Sequence, residues 1–169
     1  MRALGRITVV TLDLSYSIYI EGAMSINVAC ENSPLPTPVL VVVVADHGAV
    51  VGWPLVIPGE PPTVAIPLHK NRKTLELIRR HRVFSVNLVK DADRAYEVFG
   101  KPGERKLERW GSVAPCRALP CLTLGDASRA VECLYQGEHD VGDHVIVFCS
   151  AVASYGCGDY AVWDPCRRR

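Results

Sequence analysis

At 169 residues the chain fits one domain, and 49% hydrophobic against 22% charged residues gives it enough apolar surface for a sizeable core, which excludes intrinsic disorder. A formal net charge of +1 excludes nucleic-acid binding driven by a basic surface, because counterion release needs many uncompensated cations on one face. The longest apolar run, residues 39–45, is far short of the ~20 residues that span a bilayer, and the N-terminus has no signal-peptide pattern, so a soluble, cytoplasmic protein without membrane association is expected.

Residues 7–20 alternate, with Leu12, Leu14, Tyr16 and Ile18 against Asp13, Ser15 and Ser17. Glu21-Gly22 interrupts the pattern before residues 24–30 resume it, which reads as an N-terminal hairpin. A proline-rich connection over 32–38 leads into residues 39–45, a β-branched run suited to a fully buried strand. Asp46-His47-Gly48 turns the chain into a strand over 49–53, and Pro54 with residues 58–62 makes an irregular loop.

The next 26 residues, 63–88, combine strand, cationic turn, helix and strand. Residues 63–68 alternate; His69-Lys70-Asn71-Arg72-Lys73-Thr74 then gathers cations, an amide and a hydroxyl where a helix begins. Leu75, Leu77 and Ile78 give that helix an apolar side, Arg79, Arg80 and Arg82 load its last turn, and residues 83–88 alternate as a strand. Asn71 is placed as N-cap, so that the unpartnered first-turn amides, the Arg72 fork, Lys70, Lys73 and the Thr74 hydroxyl converge on one anion, a phosphate monoester in preference to a carboxylate. The alternative is an ordinary capped surface helix with solvated charges.

Further on, Asp91 caps a short helix through Val98 that Phe99-Gly100 ends, and residues 104–110 form a second helix closed by Gly111. Residues 115–120 are loop, 122–124 and 129–135 strands, 137–142 a turn, and 143–152 a long strand pairing back as a hairpin. The pattern as a whole is mainly β: an antiparallel barrel or sandwich decorated by short helices. Seven cysteines (30, 116, 121, 133, 149, 157, 166) include no Cys-x-x-Cys pair, so no metal centre is indicated. Cys30, Cys133 and Cys149 fall on expected strands and should be inert, while Cys116 and Cys121 could close a local disulfide in a hyperthermophile.

Asn71-Arg72-Lys73-Thr74, Phe84-Ser85-Val86-Asn87, Phe99-Gly100 followed by Lys106, Leu119-Pro120-Cys121-Leu122, Glu132-Cys133 and Gly142-Asp143-His144 together resemble, in order and spacing, the flavin reductase-like FMN-binding split-barrel family over residues 36–152. That resemblance implies a six-stranded split β-barrel, one domain over 1–169 with an extra N-terminal hairpin in 1–35 and a polar tail at 167–169, a homodimer, and one FMN per subunit. It implies further that Lys70, Asn71, Arg72, Lys73 and Thr74 hold the FMN phosphate. Gly52, Trp53, Pro54, Leu55 and Val56, with Ile66 and Pro67, line the ring and ribityl chain. His144 lies near the flavin or nicotinamide as the catalytic candidate. The segment 52–56 departs from the family in lacking polar side chains, so ring contacts there fall to backbone groups. By residue type alone, Trp53 and Trp110 are core aromatics and His47, His69 and His144 turn residues. Three functions compete: an NADH- or NADPH-dependent flavin or ferric reductase, an FMN-binding electron-transfer protein without nicotinamide turnover, and a partner-binding β-barrel whose cationic turn is mere surface.

Overall fold

The computed structural model describes residues 7–12, 15–20 and 35–164. The chain divides into two compact units, Met1–Pro34 and Leu35–Arg169. In the first, β1 (Ile7–Leu12) and β2 (Ser15–Ile20) pair antiparallel from Ile7 with Ile20 to Leu12 with Ser15. The hairpin therefore closes within the alternating stretch, whereas the sequence pattern put its break at Glu21-Gly22. Residues 24–30, with Cys30, and the tail at 167–169 lie outside the described residues.

The second unit is built on one antiparallel sheet of seven strands in the order β5-β4-β8-β11-β12-β7-β6. Its members are β4 (Leu40–Val44), β5 (His47–Val51), β6 (Leu55–Ile57), β7 (Thr63–His69), β8 (Val83–Leu88), β11 (Arg129–Val141) and β12 (His144–Tyr155). Two small ribbons flank it: β3 (Thr37–Pro38) with β13 (Val162–Trp163), and β9 (Val113–Pro115) with β10 (Leu122–Leu124). Three helices complete the unit: α1 (Lys73–His81), α2 (Ala92–Phe99) and α3 (Lys106–Trp110). The mainly β architecture expected from the sequence holds. The sheet carries one strand more than the six the resemblance implies, and β6 falls in what the proline pattern marked as irregular loop.

Strand β4 shows why this sequence folds as a sandwiched sheet. All five of its residues are buried. Leu40, Val42 and Val44 enter a core with Ile66, Phe84, Val147 and the α1 residues Leu75 and Ile78; Val41 and Val43 enter a second core with Val98, Phe99, Leu107 and Trp110. Burial on both faces explains the unbroken valine run, and each fully buried valine contributes about 1.5 to 3 kcal/mol. Gly48 is required where the second core meets β5, because a Cβ there would lie 2.5 Å from the Phe99 ring. Asp91 caps α2 as expected, accepting from the Arg94 amide at 2.9 Å.

The β11–β12 hairpin is longer than the alternation suggested, running to a two-residue turn at Gly142-Asp143 rather than opening at 137. Gly142 sits at φ +59°, the left-handed region such turns demand, and this supplies the reason for a glycine there.

Candidate functional site

The strand β7 and helix α1 are joined by a turn whose backbone is fully committed. Arg72 N donates to His69 O at 3.0 Å, Asn71 N to His69 Nδ1 at 3.2 Å, and Leu75 N to Arg72 O at 3.0 Å. Arg72, in extended conformation, is the N-cap, and it makes no side-chain capping bond. This corrects the placement of Asn71 as N-cap: the helix starts one residue later because the His69 ring and carbonyl capture the Asn71 and Arg72 amides. The first-turn amides of Lys73 and Thr74 then have no acceptor within the helix and lie at the positive end of its dipole.

Thr74 is 1% exposed, and its Oγ1 has no hydrogen-bond partner. An orphan hydroxyl in a buried position costs about 1 to 3 kcal/mol unless something occupies it. Its chain neighbours Lys73 and, two residues back, Arg72 are exposed, and both act electrostatically on Lys106, which α3 buries to 5% exposure. Among the described residues, none of Arg72, Lys73 and Lys106 is ion-paired to a carboxylate; Lys106 Nζ donates only to Phe99 O at 3.3 Å. Burial first, then the charges of Arg72, Arg109 and Lys73, depress the Lys106 pKa. Burial, followed by Lys106 and Lys73, likewise depresses His47. A cavity of about 590 Å³ opens at Lys73 and Lys106, lined also by Asp46, His47, Arg105 and Glu108; Arg72 and Thr74 are not part of its wall. Charges that raise each other's energy in this way make the site receptive to an anion. Lys106 is the residue that sequence reasoning passed over, serving there only as a landmark, because nothing in a short helix marks one lysine as buried.

On its other side, the same turn meets the β11–β12 hairpin. Lys70 N donates to Asp143 O at 3.0 Å and Lys70 pairs with Asp140. His144 Nδ1 lies 2.6 Å from Asp143 Oδ1, His69 Nε2 lies 4.0 Å from Asp143 Oδ2, and the two imidazole rings meet edge-on with centroids 5.3 Å apart. The hydrogen bond from His144 holds the Asp143 carboxyl below its ordinary range. The cationic turn and the Gly-Asp-His turn, far apart in sequence, thus form one corner of the fold.

The residues expected to line the ring lie between β5 and β6, on β6 and on β7. Leu55 and Val56 project from edge strand β6 at 59% and 61% exposure, Gly52 and Pro54 are half-buried, and Pro67 is half-buried opposite Ile146. Ile66 is fully buried in the core, so only its backbone is left to face a ligand. Trp53 is no core aromatic: it is 46% exposed, sits at φ +51°, stacks edge-on against Trp163 and donates from Nε1 to Leu35 O. Trp110 is buried, with Nε1 donating to Asp126 at 2.7 Å. Cys116 and Cys121 are disulfide-bonded, and Cys133 and Cys149 are buried.

With this geometry in view, the model of the flavin reductase like domain matches residues 32–161. The chain belongs to the flavin reductase-like family. No curated protein matches it significantly in sequence. Among solved structures, this flavin reductase-like chain is similar to an NADH:FAD oxidoreductase from Streptomyces globisporus, with TM-score 0.71 and 19% identity over 80% of this chain and 86% of that one. It is similar also to the flavin reductase component of a bacterial two-component tryptophan halogenase, with TM-score 0.71 and 16% identity over 80% and 90%. An FMN-binding protein from Thermus thermophilus gives TM-score 0.63 and 19% identity over 73% of each chain. Against a Sinorhizobium meliloti protein assigned provisionally to the oxidoreductases, TM-score 0.66 and 23% identity, the chain spans 45% of that protein's length. At these identities the likeness establishes the fold. Among the described residues, no helix is long and apolar enough to cross a membrane.

Proposed function

We propose that this flavin reductase-like chain binds FMN by its phosphate at the 70–74 turn and serves as an NADH- or NADPH-dependent flavin or ferric reductase. The observation that carries the reading is the orphan Thr74 hydroxyl at the start of α1, in a turn whose Arg72 and Lys73 charges also act on the buried Lys106, for which no ion pair is found among the described residues. A phosphate dianion at the turn would offer an acceptor to the Thr74 hydroxyl and the first-turn amides and would be attracted by the Arg72, Lys73 and Lys106 charges. The flavin supplies the redox chemistry, taking up hydride from a nicotinamide and passing electrons onward. The chain's own part is to anchor the phosphate, to offer Trp53, Pro54, Leu55 and Val56 as an apolar rim with backbone groups for the ring, and to present His144 at the neighbouring corner for the electron donor.

A second reading, an FMN-binding electron-transfer protein without nicotinamide turnover, is favoured by the absence of polar side chains over 52–56. The exposed edge strand β6, with Leu55, Val56 and Ile57 at 59%, 61% and 43% exposure, suits covering by a second copy in a homodimer. Anaerobic titration with FMN followed by mixing with NADH or NADPH tests the proposal: flavin uptake with rapid bleaching supports a reductase, and uptake without bleaching supports the second reading. A protein that takes up no FMN at micromolar concentration overturns both.

A further inference from the structure

Trp53 is 46% exposed, yet its backbone sits at φ +51° and its indole is held in place. Its amide donates to Thr37 Oγ1 at 2.5 Å and its Nε1 to Leu35 O at 3.4 Å, while its ring meets Trp163 edge-on, with centroids 5.6 Å apart and planes at 89°. A left-handed backbone strains a residue that carries a Cβ, and such strain persists where the surroundings impose it, at ligand clamps among other places. We propose that Trp163 is a positioning residue that fixes the Trp53 indole as an aromatic contact for the flavin ring; this rests on the reading that Trp53 belongs to the apolar rim of that ring.

Trp163 has an anchor of its own. It stands opposite Thr37 in the β3–β13 ribbon, so the residue that receives the Trp53 amide is the register partner of the residue that meets the Trp53 ring. The ribbon is tied to the sheet by Val39 N donating to Ala161 O at 2.9 Å and Ala161 N to Val89 O at 2.7 Å, and Trp163 itself packs against the second core. Gly52 lets the chain pass close to Thr37, since a Cβ there would lie 3.2 Å from Thr37 Cγ2. Trp163 lies outside residues 32–161, the span that the family model matches. Leu55 pairs with Ala65, so the chain enters β6 from the end of β7 that leads into the 70–74 turn, and Trp53 stands just before that entry. Residues 54–56 carry no polar side chain, which leaves ring recognition along this rim to backbone groups and to the indole. An aromatic side chain that is already held loses little freedom when a planar ring stacks on it.

Riboflavin, which has the ring and lacks the phosphate, isolates this contact when titrated into the full chain beside FMN. Trp163→Leu, which keeps apolar bulk on the core, should weaken riboflavin and FMN by the same factor, about three- to tenfold, leaving the preference for FMN unchanged. Trp163→Phe should recover wild-type affinity within about twofold, and Trp53→Ala should weaken both ligands at least as much as Trp163→Leu. In the flavin-free protein, NMR should show hydrogen exchange of the Trp53 Nε1–H quickening in Trp163→Leu and recovering in Trp163→Phe. Unchanged exchange in Trp163→Leu would overturn the positioning link. Wild-type flavin affinity in Trp163→Leu, with Trp53→Ala weakened, would overturn the inference and leave the rim reading standing. Wild-type affinity in Trp53→Ala would sink the rim reading and the inference together, and a chain that takes up neither ligand would sink the proposed function with both.

Discussion

Lys70 donates its backbone amide to the carbonyl of Asp143 at 3.0 Å, a bond that ties the cationic turn to the Gly-Asp-His turn. The strand register extends the link, since His144 lies opposite His69 in the β12–β7 pair. The proposed phosphate turn and the His144 turn are therefore parts of a single backbone unit, and a substitution can be assigned to one side or the other.

Replacing Arg72 by Ala removes a forked, charge-assisted contact to phosphate, which contributes about 1.5 to 3 kcal/mol. FMN affinity should fall roughly ten- to hundredfold by fluorescence titration, with the melting temperature of the flavin-free protein unchanged because Arg72 is exposed. His144→Ala should leave that affinity within a few-fold and slow reduction by NADH or NADPH in stopped flow.

Lys106 offers a test that separates binding from folding. Replacing it by Met removes a buried cation whose pKa is depressed by burial and by Arg72, Arg109 and Lys73. The flavin-free protein should gain about 1 kcal/mol, after the loss of the bond to Phe99 O is subtracted. A lysine depressed in the folded state destabilises in full below its folded pKa, and the penalty fades as pH rises toward the ordinary lysine value. The gain should therefore be largest at neutral pH and shrink in alkali, while FMN binding weakens at every pH. Chemical denaturation at pH 7 and pH 10 checks the first part.

Glu132 is fully buried and accepts from the Arg117, Ala118 and Leu119 amides at 2.5, 2.9 and 2.7 Å. Burial works to raise its pKa, but the three backbone donors outweigh it and the net shift is downward. Its stabilising contribution is present above the ordinary carboxylate range and lost as pH falls through the depressed pKa. Glu132→Gln should cost about 2 to 4 kcal/mol at pH 7 by denaturant unfolding, and the difference from wild type should narrow below pH ~4.

Much of this fold was legible because its signals are local. The period-two run at 83–88, the short strand at 122–124, Asp91 as a cap and Gly111 as a stop all reappear in β8, β10, α2 and α3. What sequence could not supply depends on the fold as a whole. The His69 ring capturing the Asn71 amide moved the α1 cap to Arg72, and the burial of Lys106 arises from packing of α3 against α2 and β5. Trp53 looked like core by residue type, yet its backbone at φ +51° turns it onto Trp163 at the surface. Strand β6 was hidden among prolines because its pairing with β7 is set by tertiary register alone.

The 70–74 turn, proposed above as the phosphate site for a flavin nucleotide, is open to a direct measurement. Parallel titrations of the flavin-free protein with riboflavin and FMN test it most directly, since the two ligands differ only by the phosphate. FMN should bind at least about tenfold more tightly, and Arg72→Ala should remove most of the difference. Equal affinity for riboflavin and FMN in the wild type would contradict it.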